Sequence, residues 1–389
     1  MMFNKNYKNR RYWYKSRFIS FIIFIIDIIG YSITGFKKNY VNIALIKKIG
    51  IIVTDHIGDA ILSTPIFKIL KKHYPNIDII LICTNYNSIV FQNSPYIDET
   101  VVLSNSIYSR RISFQKKIIG FYKYYKIMKN LKLDAMVDSR GDFVSIILMF
   151  LAGIKQRIGF NIGGFGFLLS YIIKFKFNSD YIKNFATLNK TKFLREIFHI
   201  NECDIKPEIF IPQYNAFTNF KKNSYIIIHP GGGENINNIN QIPPELFHKI
   251  IDFLIQNTDF DIIVTGKKEE LSLTIPYNKR IKNYIGKTNF IEFANLIRKA
   301  KFIISGSTSA IHIAYAYDVP VFVIFSMRDS PFLWFYRTSQ NMMIFNFTEC
   351  ALCEKNFCIK KECLKFDDNI LFSKLTRFIN EKIKYRVRV

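Results

Sequence analysis

Acidic residues are scarce in this chain: 30 Asp and Glu stand against 55 Lys and Arg in 389 residues, a formal charge of +25. Such an imbalance favours an anionic partner, whether nucleic acid, acidic lipid or a phosphorylated substrate. No recognition-helix, zinc-finger or aromatic-basic pattern accompanies it. Charge alone gives only salt-dependent background binding, so specific nucleic-acid recognition is set aside. The abundance of Ile, Phe, Asn and Lys also follows from AT-rich coding, and charge by itself therefore names no partner. Also missing is any G-x-G-x-x-G with a downstream ribose-binding acid, which disfavours a nicotinamide oxidoreductase. No small-x-small cleavage site follows the N-terminal apolar run, which argues against a secretory signal. Cysteine is sparse before residue 350; Cys83 and Cys203 stand alone and read as core thiols in a reducing compartment.

What is present suits two domains of ordinary size, because 49% of the residues are hydrophobic and the chain is too long for one. Residues 1–46 form a basic segment of their own. Residues 1–48 hold ten Lys or Arg and one acid, Asp27, and between the basic blocks runs the apolar stretch Phe18 to Phe36. That stretch is long enough to span a bilayer. Ser20, Asp27, Tyr31 and Thr34 nevertheless gather into one polar stripe on a helix, and a carboxylate at mid-membrane is costly. A helix lying in the interface against anionic lipid fits best; a transmembrane anchor and a signal-like or buried helix are the alternatives.

Beyond residue 48, apolar runs alternate with helical ones. Strands are expected at Ile51–Val53, Ile77–Cys83, Glu99–Leu103 and Ala135–Asp138, a loop at Asp55–Asp59, and helices at Ala60–His73 and Phe143–Ala152. The polar stretch Phe175–Pro212 reads as an interdomain linker. A second series has strands at Tyr225–His229, Ile262–Thr265, Phe302–Ser305 and Val321–Phe325. Helices at Pro244–Gln256, Asn289–Lys299 and Ala310–Tyr317 separate them, and an amphipathic helix is expected at Asn369–Lys384. Strand–helix alternation implies parallel sheets covered on both faces, hence an α/β fold of two Rossmann-like domains, residues 47–215 and 216–368, with 369–389 as a C-terminal helix and tail. A ligand would be expected at the carboxyl ends of the strands, in a cleft between them.

Three turns carry chemistry. In Thr54-Asp55-His56-Ile57-Gly58-Asp59-Ala60, Gly58 permits a tight turn and Asp59 falls at a helix N-terminus, where its charge is favoured; a plain helix cap would look the same. Thr64-Pro65, inside the helix that follows, suggests a kink. In His229-Pro230-Gly231-Gly232-Gly233, glycines straight after a strand expose backbone N–H groups to a pyrophosphate. Ser305-Gly306-Ser307-Thr308-Ser309-Ala310-Ile311-His312 repeats the arrangement, with His312 one turn in, where a packed core histidine is the plainer reading.

The order of these pieces resembles glycosyltransferase family 9, the lipopolysaccharide heptosyltransferases, over roughly residues 47–375. Matching pieces are Ile57-Gly58-Asp59 with Thr64-Pro65, Asn93-Ser94-Pro95-Tyr96-Ile97-Asp98-Glu99 and Asp138-Ser139-Arg140-Gly141. Leu151-Ala152-Gly153 with Arg157-Ile158-Gly159-Phe160 and His229-Pro230-Gly231 come next. Pro243-Pro244-Glu245, Thr265-Gly266, Gly286-Lys287-Thr288 and His312-Ile313-Ala314 with Val319-Pro320-Val321 complete the series. The resemblance implies a GT-B fold and metal-independent, inverting transfer from a nucleotide sugar, ADP-heptose in the type case, onto a lipid-linked saccharide such as the lipopolysaccharide core. It places the enzyme peripherally at the cytoplasmic face of an anionic membrane, with no cofactor beyond the co-substrate. It makes Asp59 the general base, with Gly58, Arg140 and Arg157 on the acceptor side. Gly231 and Gly232 would line the diphosphate, with Ser307, Thr308, Ser309 and His312 at the next helix N-terminus, Glu270 on the ribose and Thr288 near the base.

Two departures stand out. Asn240 replaces the family's phosphate-binding lysine, and Ser307 replaces its sugar-contacting Asp, with Ser309 in place of Gly. Loss of the cation should weaken donor binding by roughly 1–3 kcal/mol unless Lys267 or Lys268 substitutes. The departures leave open a relative with another nucleotide-sugar donor, or a degenerate copy that binds without turnover; a membrane-bound nucleotide sensor is the non-enzymatic reading. Cys350, Cys353, Cys358 and Cys363 cluster at spacings that fit a structural zinc, free thiols or disulfides, and no catalytic role is assigned to them.

Overall fold

The computed structural model describes residues 11–14, 16–35, 40–104, 113–201, 204–213, 220–231, 239–268 and 273–384. The central strands are apolar on both faces, a pattern that only a sheet covered on both sides satisfies. β1 (Lys48–Val53) and β2 (Asp78–Thr84) are buried along almost their whole lengths. The chain divides between Phe210 and Ile211 into two units.

Ahead of the first sheet lies α1 (Arg17–Thr34). The sheet itself is built from β1, α2 (Ile57–His73), β2, β3 (Glu99–Leu103), α3 (Phe114–Asn130), β4 (Ala135–Asp138), α4 (Phe143–Leu151), β5 (Gln156–Gly159) and β6 (Tyr171–Ile172). Its six strands are all parallel, in the order β3-β2-β1-β4-β5-β6. The stretch read as a linker is instead a packed part of this unit. A π turn at Phe177–Tyr181 leads into α5 (Ala186–Lys190) and α6 (Lys192–Glu196), which bury Phe193 and Leu194. Two five-residue helices are too short to show a hydrophobic period, so their polar composition concealed them.

α2 begins at Ile57, so Gly58 and Asp59 belong to its first turn, not to a loop, and the N-cap is His56. The helix continues through Pro65. Proline offers no N–H to the Ile61 carbonyl four residues back. The Thr64 hydroxyl takes that place, donating to Ile61 O at 2.7 Å.

The second unit comprises β7 (Tyr225–His229), α7 (Pro244–Asn257), β8 (Asp261–Gly266), β9 (Ile281–Ile285), α8 (Phe290–Lys299), β10 (Ile303–Gly306), α9 (Ser309–Ala316), β11 (Val321–Phe325), α10 (Pro331–Trp334), β12 (Met342–Phe345) and α11 (Asp368–Lys384). Its six parallel strands run β12-β11-β10-β7-β8-β9. α11 is integral to it. Leu371, Leu375, Phe378 and Ile379 are buried at helical spacing, and Phe378 meets Phe302 and Phe322 edge-on at 5.3 and 5.6 Å. Burying each such side chain contributes about 1.5–3 kcal/mol. Two Rossmann-like α/β units in tandem are the architecture of the GT-B class.

Candidate active site

In an open parallel sheet the connections leave a central strand in opposite directions at one point, and the loops there diverge to leave a crevice at the strands' carboxyl ends. In the first sheet that point lies between β1 and β4, which pair in register Ile52 to Asp138. The loops that follow these two strands carry Asp55 and Arg140, and the first turn of α2, straight after the first loop, carries Asp59.

The loop after β1 is shaped from the next strand over. Asn87, fully buried, donates from Nδ2 to Val53 O at 3.0 Å and Asp55 O at 2.8 Å, while its Oδ1 accepts from Thr84 N at 3.0 Å and Thr84 Oγ1 at 3.2 Å. The loop after β4 is held by Asp138, whose carboxylate accepts backbone N–H groups of Arg140, Gly141 and Asp142 at 2.8, 3.1 and 2.7 Å. Gly141 sits at φ +75, a left-handed conformation natural to glycine. Burial, reinforced by the Asp142 charge, pushes the Asp138 carboxyl up to about 7 against those donors.

Lys190 was not legible from the sequence. α5 buries its stem, and its Nζ lies 3.0 Å from Asp55 Oδ2 and 3.8 Å from Asp59 Oδ1. Arg140 Nε approaches Asp55 Oδ1 at 3.3 Å from the other side and leaves half of its own side chain exposed. Burial opposes ionisation of Asp55, but Lys190 and then Arg140 outweigh it and hold the carboxyl below its ordinary value. Asp59 behaves in the opposite way. Burial raises its pKa, Lys190 counters that in part, and the Asp55 charge raises it again. Burial likewise works against the charge on Lys190, and the two carboxylates more than restore it. The result is a fixed, charged Asp55–Lys190–Arg140 frame around a more basic carboxylate, Asp59, whose side chain is 30% exposed. Those are the properties of a general base.

The second sheet repeats the topology, with its reversal between β10 and β7. Gly231 follows β7. Ser307 and Thr308 follow β10, and Thr308 caps α9, its hydroxyl accepting from Ala310 N at 3.2 Å. Ser305 ties the two strand ends together, donating to His229 O at 3.1 Å and lying 3.2 Å from Thr308 Oγ1. α9 thus begins at the same edge as Gly231; its Ala310 and Ile311 N–H groups are held by Thr308 Oγ1 and Thr308 O at 3.2 and 3.3 Å, and the positive end of the helix dipole there is suited to phosphate. His312, one turn in, is buried, and its Nδ1 has no hydrogen-bond partner. Burial pushes the ring down to about 3, so it is neutral at physiological pH. Thr288, half-buried, lies in the connection from β9 to α8 at this end of the sheet. Asn240 lines the same edge: its carbonyl oxygen lies where a Cβ on Gly306 would fall, 2.4 Å away, and its Oδ1 accepts from Ser326 Oγ at 2.9 Å. Lys267 comes close enough for its charge to help depress His229.

Not every expected residue gathers here. Gly232 and Glu270 lie outside the described residues. Arg157 stands at the start of β5, the opposite end of the sheet from Asp59. Its guanidinium donates to Leu168 O and Ile154 O, both at 2.5 Å, and lies over the Phe150 ring. Its visible role is to brace the β5–β6 connection. Cys353, Cys358 and Cys363 pack in or against the second core and are free thiols, as is exposed Cys350. Among the described residues no three His, Cys, Asp or Glu side chains are grouped as metal ligands, although Cys350, Cys353 and Cys358 lie near enough to Cys363 to add to the rise that burial imposes on its thiol.

Comparison with known proteins agrees with this architecture. The chain matches glycosyltransferase family 9 (heptosyltransferase) over residues 121–364. Among solved structures it is similar to a family 9 glycosyl transferase from Veillonella parvula, at 15% identity and TM-score 0.69, covering 86% of this chain and 97% of that one. ADP-heptose lps heptosyltransferase II of E. coli follows at 14% identity and TM-score 0.63, covering 86% and 99%. An E. coli heptosyltransferase solved with ADP-2-deoxy-2-fluoro heptose aligns at 14% identity and TM-score 0.59, again over 86% and 99%. At these identities the likeness is one of fold.

Proposed function

Because the chain belongs to glycosyltransferase family 9, we propose that it transfers heptose or a related sugar from an ADP-sugar to a lipid-linked saccharide, such as a lipopolysaccharide core, with inversion at the anomeric carbon. The acceptor is carried at the cytoplasmic face of an anionic membrane, where the enzyme is peripheral, and the nucleotide sugar is the only co-substrate. The observation that carries the reading is Asp59, a partly exposed carboxylate of raised basicity at the strand-order reversal, framed by Asp55, Lys190 and Arg140.

The two units divide the chemistry. Asp59 in the first takes the proton of an acceptor hydroxyl as that oxygen attacks the anomeric carbon. The bond from that carbon to the diphosphate breaks on the opposite face, and ADP leaves with the electron pair. In the second unit, the N–H groups at Gly231 and at the start of α9 meet the charge that develops on the diphosphate. Lys267 supplies the cation that Asn240 no longer provides, and neutral His312 offers a ring nitrogen beside the helix N-terminus. Lys190 is a positioning residue. It fixes Asp55 and offsets part of the rise that burial imposes on Asp59.

Asn240 and Ser307 favour a second reading of the donor alone: a family relative that takes a different nucleotide sugar. Titration calorimetry across a panel of nucleotide sugars separates the two. The catalytic assignment is tested with Asp59→Asn, which should lower sugar transfer by about 10²–10⁴-fold, the usual contribution of a general base. Donor affinity should stay within about twofold, because the residue serves the acceptor. Wild-type turnover in that variant would remove Asp59 from the mechanism.

A further inference from the structure

α1 is inside out relative to an ordinary surface helix. Ser20, Asp27, Gly30, Tyr31 and Thr34 face the first unit, while Phe18, Phe21, Ile25, Ile28, Ile29 and Ile33 face away from it. Their exposures rise to 72% at Phe18 and 80% at Ile33. Asp27 is completely buried. Its carboxylate accepts from Tyr12 Oη at 2.8 Å, Asn161 Nδ2 at 3.1 Å and Phe165 N at 2.7 Å. Gly30 lies flush on Phe167, where a Cβ would stand 2.3 Å from the ring. Tyr14 Oη and Trp13 N bond Gly163 O and Ile162 O at 3.0 and 2.7 Å. The helix is thus fastened along its polar stripe, and its apolar stripe has no protein partner among the described residues.

We propose that this outward face is a membrane-lying surface, docked on the headgroup–acyl boundary of an anionic bilayer with the helix axis in the membrane plane. Charge complementarity selects the occupant. Six Lys or Arg precede or begin the helix between residues 5 and 17, and Lys37 and Lys38 follow it, while Asp27, the sole acid of the first 48 residues, is turned inward. A second copy would bring two such basic borders together. One face of a helix about 27 Å long also supplies far less than the roughly 800 Å² per partner of a standard interface. A spanning arrangement would strip Asp27 of its three hydrogen bonds and leave its carboxylate in hydrocarbon. The apolar surface continues beyond α1 through aromatic contacts. Tyr31 meets Phe167, Phe167 meets Phe165, and Phe165 stacks on exposed Phe143 of α4, with centroids 6.1, 5.9 and 5.8 Å apart. The catalytic unit itself, and not a tethered tail, therefore sits on the lipid.

The inference deepens the membrane-side part of the reading above, yet it is measured without sugar transfer, so the two can fail separately. The full-length protein should co-sediment with phosphatidylcholine vesicles containing phosphatidylglycerol, and at least tenfold less with phosphatidylcholine alone. Ile25→Glu combined with Ile29→Glu should reduce anionic-vesicle binding at least tenfold while leaving far-UV circular dichroism and nucleotide-sugar affinity unchanged. Tryptophan introduced in turn at Phe18, Ile25 and Ile33 should be quenched equally by shallowly brominated lipid. Deep quenching confined to position 25 would mean a spanning helix and overturn the proposal. Absence of vesicle binding would overturn it too, as would a double variant that splits a dimer but binds vesicles like the wild type.

Discussion

Lys190→Met removes an ammonium 3.0 Å from Asp55 Oδ2 and 3.8 Å from Asp59 Oδ1. At an effective dielectric constant of about 20, unit charges at the longer separation interact by roughly 4 kcal/mol. Two effects reduce it: Asp59 retains 30% exposure, so solvent screens the pair, and Asp55 loses the same partner, takes up a proton more readily and withdraws its repulsion. A further rise of the Asp59 carboxyl is expected, since the one group that most lowers it is gone. A base must be ionised to work, so the acidic limb of the kcat/KM profile should move to higher pH. Activity at pH 6 should fall about 10–100-fold and recover as pH rises past the new limb. Removing one partner of a buried ion pair also costs about 3–5 kcal/mol of stability. Lys190→Met should therefore be compared with Lys190→Met/Asp55→Asn, which does not leave the Asp55 carboxylate without its ammonium, and with Lys190→Arg, which should keep the wild-type limb. The assay is radiolabelled or coupled sugar transfer from pH 5 to 9. An acidic limb unmoved in Lys190→Met, or a loss uniform across pH, would show that Lys190 does not set the basicity of Asp59.

Gly306→Ala places a methyl group 2.4 Å from the Asn240 carbonyl oxygen, a backbone atom that can yield only by moving the loop. A loss of about 1–3 kcal/mol and weaker donor binding are expected, read by denaturation and calorimetry. Neutral, buried His312 titrates near 3 in the folded protein against 6.5 when exposed, so between those values the unfolded chain binds the extra proton. Stability is then complete above 6.5 and is lost as pH falls toward 3, by an amount on the order of 3–5 kcal/mol. Denaturation of wild type and His312→Phe at pH 7.5 and 4.5 should show a markedly smaller acid loss in the variant.

The central strands of both sheets were legible because they are buried on both faces and read as unbroken apolar runs. β5, β6, β9 and β12 were not. All four form or adjoin sheet edges, and β9, Ile-Lys-Asn-Tyr-Ile, mixes charge into its pattern because an edge strand meets solvent. α3 escaped notice for a related reason, being a lysine-rich helix in which exposed Ile118, Ile119 and Tyr122 blur the apolar period set by buried Tyr124 and Met128. Asp59 could be found because its motif is local. Lys190 could not, since a buried cation in a polar stretch differs in no local way from a solvated one. The partner that reveals it is 135 residues away. The polar stripe of α1 was readable from spacing, but whether it faced water or protein depended on Asn161 and Phe165, which only the fold brings to Asp27.

The amide of Asn87 has a consequence for anyone who would transplant this site. It fixes the turn after β1 through two carbonyl oxygens while being held itself by the end of β2. The shape of residues 53–55 is thus encoded some thirty positions downstream, in a neighbouring hairpin-free crossover. Grafting the segment from Thr54 to Asp59 onto another parallel sheet would carry the carboxylate without its template. The portable unit is the pair of adjacent strand ends, Val53–Asp59 together with Thr84–Asn87.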